Sequence, residues 1–258
     1  MAGQWLITGQ GYLNRVKRTT MNNDTIIQQA LTALRSATTE KIRFRVPLNE
    51  AAVEPIMRQA YAGIVANRCG KYVEDNETKA HIKTIVRWLC DATLRPSLLL
   101  RGNVGNGKTT TAKSIAATIE ALRTMANEKM RTDGWKLGAV EVAIYNSLLR
   151  LPVVKVVAAT DIVRAATQES ALEQLKRSHF LIIDDLGTEP PTAKVYGTEV
   201  TPVTEVLCHR YEHWMPTVIT TNLNDEEIKN RYFERVADRI NEMCEKVGYR
   251  NSSYRTKA

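Results

Sequence analysis

Two rhythms of apolar positions divide the chain. From Asp24 to about Leu94, apolar residues recur every three or four positions in "DTIIQQALTALRSA", "EAAVEPIMRQAYAGIVANRC" and "ETKAHIKTIVRWLCDATL", the spacing of helices that bury one face. After Pro96, the short apolar runs "SLLLRG", "VVKVVAAT", "HFLIIDD" and "PTVITTN" alternate with helical stretches. Such alternation is typical of parallel strands whose two faces are covered by crossover helices. The pattern therefore predicts an α/β three-layer sandwich with a central parallel sheet, preceded by a small helical N-terminal region.

The same pattern divides the chain into three predicted parts. Residues 1–22 are polar and basic, and we predict a flexible arm there. Residues 23–75 are predicted to form a helical region that binds a partner protein, and residues 76–258 to form the α/β core. Within that core, the stretch between Arg123 and Pro152 is longer than a crossover needs. We predict an insertion there that carries a short hairpin or a helix.

Composition excludes several classes of protein. With 258 residues, 43% of them apolar and 25% charged, the sequence is typical of a globular chain rather than a disordered or collagen-like one. The four cysteines lie far apart without a Cys-x-x-Cys pair, which argues against a zinc knuckle and against a disulfide framework. A secretory signal is not evident, and no apolar run approaches the roughly 20 residues of a membrane helix. We therefore expect a cytoplasmic protein that has no membrane partner.

Basic residues outnumber acidic ones. The formal net charge is +8 at pH 7. Lys and Arg attract polyanions because their approach to phosphates releases counterions, so nucleic acid is a candidate partner. A solvated basic surface without any such partner would give the same charge balance, and composition leaves both interpretations open.

The most specific motif lies between the first predicted strand and the helix that follows it. "GNVGNGKT" fits G-x-x-x-x-G-K-[ST], a loop that binds nucleotide phosphates. Its glycines let successive backbone N–H groups face a phosphate, and the helix adds the positive end of its dipole. We predict that Lys108 reaches the β- and γ-phosphates of ATP and that the Thr109 hydroxyl binds magnesium. The residues predicted to bind the nucleotide are Gly102, Asn103, Val104, Gly105, Asn106, Gly107, Lys108, Thr109 and Thr110.

Acidic residues at the end of a later apolar run complete the predicted site. "FLIIDD" ends in Asp184 and Asp185. We assign magnesium to Asp184 together with Thr109, and polarisation of the attacking water to Asp185. Asp185 is one methylene shorter than the Glu that is more common in such sites, and Glu189 in "GTEP" is predicted to assist. Residues 184–187 also spell the D-x-x-G of GTPases, but no Asn-Lys-x-Asp follows, so ATP is the predicted nucleotide.

Several motifs in a fixed order resemble those of one ATPase family. "GNVGNGKTT", "FLIIDDLGTEP", "RYEHWMPTVITTNLND", "FERVADRI" and "GYRNSSYR" are similar to segments of the AAA+ ATPases of the DnaC helicase-loader and IstB transposition-helper group. The resemblance covers roughly residues 76–255. It implies a P-loop sandwich of the AAA+ type that lacks the C-terminal lid domain of many AAA+ proteins.

Two further site residues follow from this resemblance. Asn222 matches the polar residue that senses the γ-phosphate at the end of a strand, although an Asn that caps the next turn would have the same sequence context. Arg235 matches the arginine that reaches the nucleotide of a neighbouring subunit, and Arg239 follows it one helical turn later. Without the resemblance, an arginine paired with Glu234 or Asp238 on a helix surface would be the simpler interpretation.

The motifs leave several functions open. The leading hypothesis is a DnaC-like helicase loader, an ATPase whose subunits self-associate through their nucleotide interfaces, hold single-stranded DNA and deliver a replicative helicase. An IstB-like transposition helper would use the same core on double-stranded DNA with a transposase as its partner. A P-loop small-molecule kinase would share the loop and the sheet, but it would need neither Arg235 of a neighbour nor DNA.

Overall fold

A five-stranded parallel sheet lies at the centre of the protein. The computed structural model describes residues 27–29, 31, 32, 44–69, 72, 75–250, 253 and 254. Its strands are β1 Ser97–Gly102, β2 Val154–Ala158, β3 Phe180–Leu186, β4 Ala193–Val195, β5 Thr198–Val200, β6 Thr217–Thr221 and β7 Cys244–Tyr249. Five of them pair in parallel in the order β2–β3–β6–β1–β7, whereas β4 and β5 form a separate antiparallel hairpin. The predicted central parallel sheet is confirmed.

Helices cover both faces of the sheet. They are α1 Glu50–Cys69, α2 Asn76–Cys90, α3 Lys108–Asp133, α4 Ala139–Leu149, α5 Ala159–Ala165, α6 Glu169–Lys176, α7 Pro202–Glu212 and α8 Asp225–Met243. Helices α1 to α4 pack on one face and α5 to α8 on the other. The predicted three-layer α/β sandwich is therefore confirmed. Among the described helices, none combines the length and the apolar character that crossing a bilayer requires.

Alternate residues of each central strand enter opposite cores. In β1, Leu98 and Leu100 belong to the core under α1 to α4, whereas Leu99 belongs to the core under α5 to α8. All three are 0% exposed. Because side chains alternate along a strand, a strand buried on both faces must be apolar at every position. Burying each leucine contributes about 1.5–3 kcal/mol, and this explains the uninterrupted apolar runs in the sequence.

Helix α1, which belongs to the predicted N-terminal region, packs against the sandwich. The chain divides into the units Met1–Ile42 and Arg43–Ala258. In the first unit, residues 27–29, 31 and 32 are helical, and the predicted arm of residues 1–22 lies outside the described residues. In the second unit, Val53 and Met57 of α1 are 0% exposed and share a core with α3. The apolar stripe of α1 is thus covered by the sandwich itself, so α1 belongs to the same compact unit as the sheet.

The predicted insertion contains helices, the second of the two structures predicted for it. Helix α3 continues to Asp133 and is followed by a 3₁₀ turn at Gly134–Lys136 and by α4. The strand β7 was not predicted at all. Its sequence "CEKVGY" is short and half polar, yet it pairs with β1 along its whole length.

Helix α8 is broken at one residue. Phe233 has φ 67° and ψ 158°, whereas the residues on both sides are helical. This backbone region is essentially restricted to glycine and costs other residues about 1–3 kcal/mol. The Phe233 side chain is 71% exposed, so burial of the ring does not offset that cost.

Candidate nucleotide-binding site

Close packing and backbone conformation explain two glycines of the predicted phosphate loop. A Cβ on Gly102 would lie 2.2 Å from the carbonyl oxygen of Tyr249 in β7, so no larger residue fits there. Gly107 has φ 98° and immediately precedes α3, which begins at Lys108. The loop therefore joins β1 to the N-terminus of a long helix, where backbone N–H groups and the helix dipole favour an anion.

Lys108 lies inside this loop. Its side chain is nearly buried, and its Nζ donates to the carbonyl oxygens of Gly102 and Asn103 at 2.7 Å each and to Oδ1 of Asn106 at 3.2 Å. The Asn106 amide in turn donates to the Tyr249 carbonyl at 2.9 Å, which fastens the loop to β7. These bonds place the ammonium group within the phosphate loop, and its contact with the β- and γ-phosphates stays a prediction.

The predicted magnesium ligands lie in contact. The Thr109 hydroxyl donates to Oδ1 of Asp184 at 2.9 Å, although the two residues are 75 positions apart in sequence. Asp184 lies on β3 and Thr109 on α3, and β3 is separated from β1 by β6. A hydroxyl and a carboxylate at this spacing offer the oxygen ligands that Mg²⁺ prefers, with nucleotide phosphates and water completing its octahedron. The two residues thus fit the predicted metal.

Asp185 occupies an irregular point of β3. Its side chain is exposed, its φ is 57°, and the pairing of β3 with β6 shifts between Ile183 and Leu186. The Asp185 N–H donates to the Thr220 hydroxyl at 2.8 Å. This shift in pairing is a β-bulge, which gives the two consecutive acidic residues different surroundings. Asp184 bonds to Thr109 of α3, whereas Asp185 faces solvent. An exposed carboxylate next to the metal ligand is compatible with the predicted role in orienting water.

Thr220 is a site residue that the sequence analysis missed. It lies on β6, is fully buried, and its hydroxyl donates to Oδ1 of Asp184 at 2.6 Å while accepting from the Asp185 N–H. One hydroxyl thus positions both acidic residues. The sequence contained one indication of this role, because Thr220 is a polar residue within the buried run "TVITT", just before the predicted sensor Asn222. The indication could be interpreted only from the strand order, which places β6 between β1 and β3.

Thr220→Val should weaken the magnesium site specifically. Valine keeps the shape but removes the hydroxyl that holds Asp184, and loss of such a supporting contact typically lowers metal affinity or activity about 10- to 100-fold. Titration of ATP turnover with Mg²⁺ measures this effect. The matched control is Thr221→Val, which removes a buried hydroxyl bonded to the Leu186 carbonyl at 2.7 Å and to neither acidic residue. Equal magnesium requirements in the two variants would contradict the assignment.

The position of Asn222 excludes one of its two interpretations. Asn222 follows β6 directly and is exposed, one position beyond the paired residues Arg101 and Thr221 and hence at the same sheet edge as the phosphate loop. The cap of α8 is Asn224 instead, whose side chain accepts from the Glu227 N–H at 2.9 Å. Asn222 therefore does not serve as the cap of α8, and its sensor role stays a prediction.

Glu189 lies in the interior. Its side chain is 1% exposed, and its carboxylate accepts from the Gly187 N–H at 2.9 Å and from the Tyr232 hydroxyl. Its carbonyl accepts from the Arg231 guanidinium. These bonds tie the turn after β3 to α8. Glu189 thus forms a structural contact between the turn and α8, and its assistance to the attacking water stays a prediction.

Arg235 and Arg239 lie on α8 in different surroundings. Arg235 is exposed, and among the described residues it forms no ion pair. Glu234, its expected partner in the simpler interpretation, binds Lys229 at 2.5 Å instead. Arg239 is engaged within the chain, because it pairs with Glu212 at 3.1 Å and lies over the ring of Tyr211. Of the two arginines, Arg235 is therefore the one available to a neighbouring molecule.

Two tyrosines, Tyr61 and Tyr254, lie next to the phosphate loop. The Tyr254 N–H donates to the Gly105 carbonyl at 2.9 Å, and its hydroxyl donates to Asp75 at the start of α2 at 2.8 Å. A Cβ on Gly107 would lie 2.8 Å from the Tyr61 hydroxyl. An ordinary tyrosine is neutral at physiological pH, and burial raises the pKa of both phenols further, to about 12. Neutral phenols add no repulsion to an anion in the loop.

No protein-family model matches this sequence, and no curated protein sequence matches it. Among solved structures, the chain is similar to a crystal structure of DnaI, with 17% identity over 74% of this chain and 93% of that one and a TM-score of 0.47. A crystal structure of the DnaC helicase loader matches with 19% identity over 70% of this chain and 95% of that one, at a TM-score of 0.46. AMPPCP-bound DnaA from Aquifex aeolicus matches with 13% identity over 72% of this chain and 51% of that one, at a TM-score of 0.45.

Proposed function

We propose that the protein binds and hydrolyses ATP with magnesium. The single observation that carries this proposal is the 2.9 Å contact between the Thr109 hydroxyl and the Asp184 carboxylate, next to Lys108 inside the phosphate loop. Backbone N–H groups of the loop and Lys108 would bind the phosphates, and Thr109 with Asp184 would hold the metal. Asp185 would orient the attacking water. The bound metal would neutralise charge that develops on the phosphates.

We propose further that hydrolysis requires self-association. Within one chain, Lys108 is buried in the phosphate loop, whereas Arg235 is exposed on α8. In the family that the motifs resemble, the matching arginine acts on the nucleotide of a neighbouring subunit. A guanidinium supplied in this way stabilises the charge of the transition state, so turnover would depend on assembly.

The DNA-linked role that we propose is that of a DnaC-like helicase loader. The net charge of +8 favours binding to a polyanion, and the motif set resembles the loader group. In this role the assembled subunits would hold single-stranded DNA and deliver a replicative helicase. An IstB-like helper that acts with a transposase on double-stranded DNA is the other outcome that the experiment must separate.

The experiment is ATP turnover measured against protein concentration, without DNA and with single- or double-stranded DNA of equal length. Turnover that rises faster than linearly with protein and is stimulated by single-stranded DNA supports the loader proposal. Stimulation by double-stranded DNA alone would replace the loader with the transposition helper. Turnover per molecule that is constant and indifferent to DNA would contradict both, and an acceptor screen would then test for a kinase.

A further inference from the structure

The break in α8 stands two residues before Arg235. Phe233 adopts φ 67° and ψ 158°, a conformation that strongly favours glycine, and its ring is largely exposed. Strain of this kind persists only where the surrounding contacts impose it, and such positions cluster at functional sites. The contacts that hold Phe233 in this conformation therefore indicate what Arg235, two residues later, does.

On its N-terminal side, the break is held by Glu189. The Tyr232 hydroxyl donates to one oxygen of the Glu189 carboxylate, and the Gly187 N–H donates to the other at 2.9 Å. Tyr232 is 3% exposed and directly precedes Phe233. Glu189 follows the acidic end of β3 by only four residues. The first half of α8 is thus fastened to the turn that leaves the predicted metal and water site.

On its C-terminal side, the break is held by the core. Val236, Ala237 and Ile240 are buried in the cluster that packs under α5 to α8. Arg239 adds its ion pair with Glu212. Both halves of α8 are therefore fixed, and Arg235 stands exposed in the second half, two residues after the break.

We infer that Glu189 and Tyr232 are positioning residues, which hold the break at Phe233 and so present Arg235 to the nucleotide of a neighbouring copy of this chain. This inference rests on the proposed function. According to this inference, the buried Glu189 helps its subunit to act on the nucleotide of the neighbouring subunit. It does not activate water in the site of its own subunit. A defect in the Glu189–Tyr232 bond should consequently appear in the adjacent site and leave the subunit's own site competent.

Tyr232→Phe tests this assignment because it removes only the hydroxyl. We expect unchanged ATP affinity and KM, and turnover at saturating ATP lowered at least tenfold. The matched control is Tyr211→Phe, which removes another hydroxyl bonded to a carboxylate, that of Glu242 at 2.5 Å, and should leave turnover unchanged. Normal turnover of Tyr232→Phe would overturn the inference. Glu189→Gln provides a second variant with the same expected pattern if Tyr232→Phe does not fold.

Mixed assemblies separate a positioning role from damage to the subunit's own site. Asp185→Asn subunits cannot hydrolyse ATP but keep an intact Arg235, so mixing them with Tyr232→Phe should restore turnover. Mixing Tyr232→Phe with Arg235→Ala should not restore it. The reverse pattern, or restoration by neither, would overturn the inference. Arg235→Ala mixed with Asp185→Asn is the reference, and if this pair stays inactive while wild-type protein turns over ATP, the proposed function itself fails.

Discussion

Lys108→Ala is expected to abolish ATP turnover and to weaken ATP binding severely. The ammonium lies inside the phosphate loop, bonded to the carbonyl oxygens of Gly102 and Asn103, where it would meet the β- and γ-phosphates. Removing one member of a desolvated, hydrogen-bonded charge pair costs about 2–5 kcal/mol or more. Because 1.4 kcal/mol is a factor of ten, affinity should fall by roughly 30-fold at least. Titration with a fluorescent ATP analogue measures this loss directly.

The matched control for this substitution is Lys113→Ala. Lys113 lies five residues further along α3 and is half-buried, so the substitution removes the same charge from the same helix. The control should bind ATP normally. Thermal unfolding without nucleotide should show both variants folded, whereas ATP should stabilise only the control. Normal binding by a folded Lys108→Ala protein would contradict the assignment of the phosphate loop.

Arg235→Ala is expected to separate ATP binding from hydrolysis. The side chain is exposed and lies on α8, outside the loop and the magnesium ligands, so ATP affinity should not change. Turnover should fall about a thousandfold or more, the effect of an arginine supplied to a phosphoryl-transfer site by a neighbour. Arg177→Ala is the control, since Arg177 is also exposed at a helix and its ion pair with Glu173 at 3.2 Å is of the weak surface kind.

Complementation tests whether Arg235 acts between subunits. In Arg235→Ala the nucleotide site is intact, and in Asp185→Asn the arginine is intact. A mixed interface joins the two intact halves, so two proteins that are inactive alone should regain turnover together. Absence of restoration at every mixing ratio would contradict action in trans. If Arg235→Ala stays inactive in the mixture, Arg235 instead supports the structure of its own subunit.

Much of the site could be predicted because its parts are local. The run from Gly102 to Thr109 needs only a strand, a turn and a helix in succession, and this order is encoded by an apolar run, three glycines and Lys-Thr. Asp184 and Asp185 were identified because they end an apolar run that must be a buried strand. The residues missed by the sequence analysis depend on distant contacts. Thr220 bonds to Asp184 36 positions away, and Tyr254 bonds to Asp75 179 positions away.

The sequence by itself determined the sandwich and the phosphate loop, because a strand buried on two faces must be continuously apolar and a backbone that wraps a phosphate must be rich in glycine. The tertiary structure decided the strand order, which places β6 between β1 and β3 and brings Thr220 to the acidic pair. It also decided the position of Glu189, which the sequence grouped with Asp185 and which the fold buries against Tyr232. Such partners are chosen by packing between segments far apart in the chain, and no local pattern of residues records that choice.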